Sequence, residues 1–131
     1  MKTETTVPVM ANKRPWNELV LQGRRDFKTL GFDWKHRGPI LLYNSLAVDA
    51  EGCDEYDFAV EDAKKLPVKT IVGMATVTDV IYDGWQFEVI LSDVKRFKKP
   101  IPFAKPAGAV RVFRAPAKLL KRATVTGKVK A

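Results

Sequence analysis

The spacing of hydrophobic residues changes several times along this chain, and each change marks an element. After Pro15, which suits a first helical position because it has no N–H to leave unbonded, Trp16, Leu19 and Val20 recur at i, i+3 and i+4. That spacing predicts a short helix with Asn17 and Glu18 toward water, closed by Gly23 in a left-handed cap. A turn, a strand and a basic, aromatic connection follow. Ile40 to Tyr43 is then a continuous apolar run, too short for an independent helix and suited to a strand covered on both faces. From Asp54 to Leu66 the pattern predicts one helix, with Asp54 as cap, Lys64 and Lys65 at the negative end and Pro67 as its stop. Tyr56, Ala59, Val60, Ala63 and Leu66 form its buried stripe.

Thr70 to Ile81 is rich in Val, Ile and Thr and reads as a strand, with Gly73 marking a bulge or a close backbone approach. Tyr82-Asp83-Gly84 supplies a hairpin turn. Beyond it Trp85, Phe87, Val89 and Leu91 alternate with Gln86, Glu88 and Ile90, which places Trp85, like Trp16, in the core. Pro100, Pro102 and Pro106 argue against a central strand there and for a stiff connection. Ala109 to Arg114 supplies a last strand, with Val110 and Val112 on one side and Arg111 on the other. Leu119 and Leu120 with Lys118, Lys121 and Arg122 make a short amphipathic turn. Residues 1–12 lack a helical period and contain a proline, so they read as an extended arm. The sum is an α+β fold: a small curved β-barrel of about five to six strands with two or three short helices at its openings. It divides into the arm, a domain over residues 13–123 and a basic tail over 124–131.

Charge then points to a class of partner. At 131 residues and 46% hydrophobic content the chain has material for one real core, and its net charge of +8 favours polyanions. Seven of its fifteen acids, Asp49, Glu51, Asp54, Glu55, Asp57, Glu61 and Asp62, fall in one stretch, so the remainder is more cationic than the average. Those acids are spread around a helix and suit a solvated face better than a metal site. The single cysteine, Cys53, excludes an internal disulfide and a Cys-rich zinc site. No glycine-rich phosphate loop or metal-ligand spacing occurs, so no metal or cofactor is specified. With no membrane-length apolar run and no signal-peptide core, the expected location is the cytoplasm, without a membrane partner.

The candidate chemistry lies in two cation-aromatic clusters. Arg24, Arg25, Lys28, Lys35, His36 and Arg37 are interleaved with Phe27, Phe32 and Trp34, and Lys95, Arg96, Lys98 and Lys99 surround Phe97. Flat rings among cations suit single-stranded nucleic acid. Trp34 is the stacking candidate for an unpaired or flipped base, Arg37 its phosphate or base-edge contact, and Asn44 and Ser45 place small polar groups at a strand end facing a ligand. A Trp34 packed behind the connection and an Asn44-Ser45 turn are the structural alternatives. His36 is the chain's one histidine, and its flanking Lys35 and Arg37 oppose the positive charge a general base acquires, which favours ligand contact over catalysis.

Pro15-Trp16, Gly23, Arg37-Gly38 and Pro39 to Ser45, followed by the stretch from Gly73 to Val80, Trp85 and Pro100 to Phe103, fall in an order that resembles the ASCH group of the PUA-like superfamily. The resemblance spans roughly residues 13–116 and implies the same curved barrel, with RNA, or in some relatives modified DNA bases, as partner. Enzyme-like members carry Lys, Thr, Glu and Arg on the strand after the glycine. Aligned without gaps, those positions hold Arg25, Asp26, Lys28 and Leu30 here.

The leading expectation is therefore a non-catalytic nucleic-acid-binding module, with RNA favoured and DNA the alternative. A second is a hydrolase of the same superfamily, acting on a modified pyrimidine or on RNA, in which Lys28, Glu88 or Asp93 replaces the missing groups. Lys28 discriminates between them, since in an apolar pocket it would titrate near neutrality and beside Arg25 at the surface it would be a phosphate contact. A third is a phage or plasmid factor that binds a host protein. Oligomeric state has no signature in the sequence.

Overall fold

The computed structural model describes residues 5–106 and 111–121. Its elements are β1 (Thr6–Arg14), α1 (Trp16–Leu21), β2 (Phe27–Leu30), β3 (Gly38–Val48), α2 (Ala50–Glu55), α3 (Val60–Lys64), β4 (Thr70–Tyr82), β5 (Phe87–Pro102) and β6 (Val112–Pro116). The strands form one six-stranded sheet in the order β2-β5-β4-β3-β1-β6, parallel between β1 and β3 and antiparallel elsewhere. The fold is α+β with a mixed sheet and short helices, and the sheet is not closed into a barrel.

Both faces of the sheet are buried. Alternate residues of β1 and β3 go to different clusters: Val9, Ala11, Leu41 and Tyr43 meet Phe97, Phe113 and Leu119, while Met10, Ile40 and Leu42 meet Val20, Leu30 and Val89. This explains why β3 reads as a continuous apolar run. The helix α1 ends as expected: Gly23 has φ +77°, and the N–H groups of Gly23 and Arg24 return to the carbonyls of Val20 and Leu19, the double bond of a Schellman cap. The β4–β5 hairpin also matches, with Gly84 at φ +95° and Asp83 Oδ1 accepting from the N–H groups of Trp85 and Gln86.

Five expectations are corrected. Residues 6–12 are not an arm: they belong to β1, which lies between β3 and β6 and contributes Val7, Val9 and Met10 to the core. Its partners lie far along the chain, so no local period announces it. The predicted helix from Asp54 to Leu66 is two short ones, the first capped by Asp49, whose carboxylate accepts from Gly52 N–H; of the stripe only Ala63 is fully buried. Asn17 does not face water but is wholly buried. Trp85 is outside the core, 85% exposed, because it precedes β5 and the strand's alternation does not bind it. Lys95 to Pro102 is strand rather than connection: β2 pairs only with Phe87 to Ile90, so the prolines lose no ladder bond on that side. Of the last predicted strand, Ala109 and Val110 lie outside the described residues, as do Arg122 and the 124–131 tail. Among the described residues no helix is long and apolar enough to cross a membrane.

Gly73 holds the β4–β5 contact close. A Cβ there would stand 2.5 Å from the Lys95 carbonyl oxygen and 2.8 Å from Leu21 Cδ2, at an irregularity in the ladder. Gly73→Ala is expected to lower unfolding free energy by about 1–3 kcal/mol in urea titration, the usual cost of overpacking a core. Gly31→Ala, where a Cβ meets nothing within 4 Å, is the control and should change little.

Candidate functional site

A cavity of about 430 Å³ opens where the ends of β1 and β3 meet β2 and the residue before β6. Its size falls within the range of small-molecule sites, roughly 300–1,000 Å³. Lys13, Lys28, Lys105 and Arg111 line it, with Trp16, Thr29, Ser45, Gln86 and one carboxylate, Asp49. Lys28 and Thr29 come from one edge strand of the sheet, and Arg111 directly precedes the other. None of the four cations reaches a carboxylate at ion-pair distance among the described residues.

Local folding places each group. The register of the parallel β1–β3 ladder slips between Asn12 and Arg14, so that Arg14 pairs with Val48 and the extra residues of β3, among them Ser45 and Ala47, form one wall. Asp49 caps α2 and also accepts the Trp16 indole N–H at 2.8 Å. Gly52 lies so close beneath the Trp16 ring that a Cβ would stand 2.6 Å from Cζ2. The indole is thus fixed by a hydrogen bond and a glycine seat. Behind it, three buried amides run in series: Asn12 Nδ2 donates to Asn17 Oδ1 at 2.7 Å, Asn17 Nδ2 to Asn44 Oδ1 at 3.0 Å, and Asn44 Nδ2 to the Pro67 carbonyl at 3.0 Å. Ser45 Oγ donates to the Asn12 carbonyl.

Lys28 dominates the electrostatics. Burial pushes its amine down, Arg25 and Arg111 push further, and Asp49 only partly compensates, so its pKa falls to about 8. Its Nζ lies 5.6 Å from the Trp16 ring centroid. For Asp49, burial favours the neutral acid, but the hydrogen bonds from Gly52 and Trp16, with Lys13 and Lys28 nearby, outweigh it and hold the pKa below the usual value. The pocket thus offers a fixed carboxylate, an amine that titrates near neutrality, two hydroxyls and three further cations. One carboxylate is a poor cage for a metal, and the other lining groups suit an anion. Cys53 is buried outside this cavity, and burial followed by Asp49 pushes its thiol up.

The structure brings together only Lys28 and Ser45 of the residues expected from sequence. Arg25 is locked among rings, 4.2 Å from the centroids of both Trp16 and Phe27, and donates to Tyr56 Oη. Arg24 donates to the Tyr56 carbonyl. Arg96 is held by Glu18 in a two-bond pair at 2.7 and 2.9 Å. Trp34 is half-buried against the core, with His36 beside it and Arg37 folded back onto its carbonyl and toward Asp79. Lys35 pairs with Asp33, and Phe32 is exposed. Asn44 is buried in the amide series and does not line the cavity. Lys98 and Lys99 are exposed on β5, and Lys95 is partly covered. Lys13, Trp16, Asp49, Lys105 and Arg111 were not expected, since fold topology alone unites them; the one sequence signal was Lys28 itself.

The Lys28 pKa makes a stability prediction. Between about 8 and the ordinary 10.5 the unfolded chain keeps this proton and the folded chain does not, so this residue makes stability rise with pH across that window. Below it, the folded state carries the full cost of a confined charge. Lys28→Met should therefore melt above the wild type at low pH, with the difference shrinking in paired thermal melts run from about pH 6.5 through 8 to 10. A scan of the chain against protein-family models finds no match, and a search of curated proteins likewise returns none.

Proposed function

We propose that the chain is a cytoplasmic, PUA-like module of the ASCH kind that binds single-stranded nucleic acid, RNA above DNA, through the Lys28 cavity. One observation carries this reading: four cations converge on a nucleotide-sized cavity that contains a single carboxylate and a fixed indole. An anion there relieves the repulsion that Arg25 and Arg111 impose on Lys28, and the Trp16 indole, seated on Gly52 with Arg25 over its ring, gives a base a rigid apolar wall. The sheet edges support the barrel-like reading, because β2 and the residue before β6 line the same cavity. Relative to the expectation from sequence, the base moves from Trp34 to the cavity, and the exposed Lys98 and Lys99 remain backbone contacts.

A second reading, a hydrolase of the same superfamily, is favoured by the same amine. Near neutrality part of the Lys28 population is uncharged and able to accept a proton or attack a carbonyl, with Thr29, Ser45 and Asp49 lining the same cavity. Arginine separates the two, because it keeps the charge and has no usable lone pair at neutral pH.

Affinity for a labelled RNA oligonucleotide should fall as pH rises through about 8 in the wild type. Lys28→Arg should bind with that dependence removed, and Lys28→Met should bind weakly throughout, with a salt slope smaller by about one. The readout is fluorescence anisotropy at two salt concentrations, with recovered strands run on a gel. Absence of binding at low salt would sink the module; cleavage of RNA, or of an amide-bearing pyrimidine nucleoside, that disappears in Lys28→Arg would establish the hydrolase instead.

A further inference from the structure

We infer that the tip of the β4–β5 hairpin is a stacking platform for the nucleotide next to the one in the cavity, with Trp85 as its ring. The inference rests on the proposed binding of nucleic acid and adds the requirement for a strand longer than one nucleotide.

Trp85 is 85% exposed, and its indole has neither a ring contact nor a hydrogen-bond partner among the described residues. An indole left in water at the end of a hairpin contributes nothing to this core. Its backbone is nevertheless held rigidly: Asp83 Oδ1 accepts from Trp85 N–H and Gln86 N–H, both at 2.8 Å, and Asp83 N–H closes the turn onto the Gln86 carbonyl. Those two hydrogen bonds also hold the Asp83 carboxyl below the usual range, so the clamp persists at neutral pH. Tyr82 stacks obliquely on Phe87 at 4.9 Å and, with Ile81, forms the apolar flank of the tip. With the backbone fixed, only the side-chain torsions of the indole remain to be ordered when it captures a second ring.

Position and charge select the occupant. Gln86, the residue after Trp85, lines the cavity, so the backbone that carries the exposed ring adjoins the cationic site. Phosphate is held by the cations inside, and a neighbouring base offers Trp85 a neutral face. The tip itself carries Asp83 and no cation, so it gives a bound strand its ring alone and leaves phosphate to the cavity, and an anionic membrane surface meets no countercharge there. Every base has a stacking face, so the platform is indifferent to sequence and adds affinity with length.

The experiment compares wild type, Trp85→Ala and Trp85→Phe in titrations with each ribonucleoside 5′-monophosphate and with random-sequence RNA octamers. Trp85→Ala is expected to weaken octamer binding about tenfold, within the usual range for one lost base stack, while leaving the mononucleotides unaffected. Trp85→Phe should keep most of the octamer affinity. Circular dichroism melts should be the same for all three proteins, because the indole buries nothing. Octamer binding unchanged in Trp85→Ala would overturn the platform and leave the cavity reading standing. Equal weakening toward mononucleotides would overturn it too, by placing Trp85 on the base inside. A wild type that binds neither ligand would remove the cavity reading and the platform together. A blue shift of tryptophan emission on mixed phosphatidylcholine and phosphatidylglycerol vesicles, with none on octamers, would assign the tip to a membrane instead.

Discussion

Asn17 is wholly buried, and its amide joins Asn12 of β1 to Asn44 of β3, whose own amide ends on the Pro67 carbonyl beyond α3. An amide has a donor end and an acceptor end, so the Pro67 carbonyl sets the direction of the whole series. Each donor satisfies the next acceptor, with Asn12 Oδ1 at the head of the series left without a partner among the described residues, and breaking one bond leaves a further buried group unpaired at about 1–3 kcal/mol. Arg14 repeats the arrangement one turn of chain away, its buried guanidinium donating to the carbonyls of Leu46, Ala63, Lys64 and Leu66. Together these polar ties fix β1, α1, β3 and α3 against one another. The cavity wall made by Ser45, Asp49 and Trp16 is built on them, since Ser45 bonds the Asn12 backbone and Asp49 N–H bonds the Arg14 carbonyl.

The cationic cavity and the aromatic cluster around Arg25 are two sides of one arrangement. Arg25, between Trp16 and Phe27, is stabilised by ring faces rather than by a carboxylate, which leaves its full charge acting on Lys28. Glu18, the nearest acid on α1, is occupied by Arg96 on β5. The acids of the 49–62 stretch, Asp49 excepted, do not line the cavity. An amine with a pKa near 8 is therefore the product first of burial and then of cations beside it whose countercharges have been withheld.

Elements whose signals are local could be read from the sequence. The α1 period and its Gly23 cap, the apolar run of β3, the Asp83-Gly84 turn and the close approach at Gly73 each depend on a few neighbouring residues, and each is present. What could not be read depends on remote partners. The strand β1 owes its burial to Leu41 and Phe113, so Val7-Pro8-Val9 looked like a loose end. Asn17 looked solvated because a polar residue in a helix normally is, and nothing in its neighbourhood reveals two other amides brought by separate strands. The cations of the expected site misled in the same way: a run such as Arg24-Arg25 or Lys35-Arg37 gives the charges and not their directions, and these side chains turn to Tyr56, Asp33 and Asp79. Lys28 was legible as a question about burial, and the fold buries it beside Arg25 with its pKa at about 8.

The position of β1 has a further consequence, for the order in which the sheet is assembled. Its inner edge pairs with β3, beginning at Val9 with Leu41, whereas its outer edge pairs with β6, where Thr6 meets Pro116. A chain emerging from the ribosome makes β1 first and its outer neighbour last of the described strands. Until β6 arrives, Val7 and Val9 lack the cover of Phe113 and the strand presents an open row of N–H and C=O groups. Completion of the sheet thus waits on the largest loop closure in the described chain, a topology that favours slow, cooperative assembly over stepwise growth.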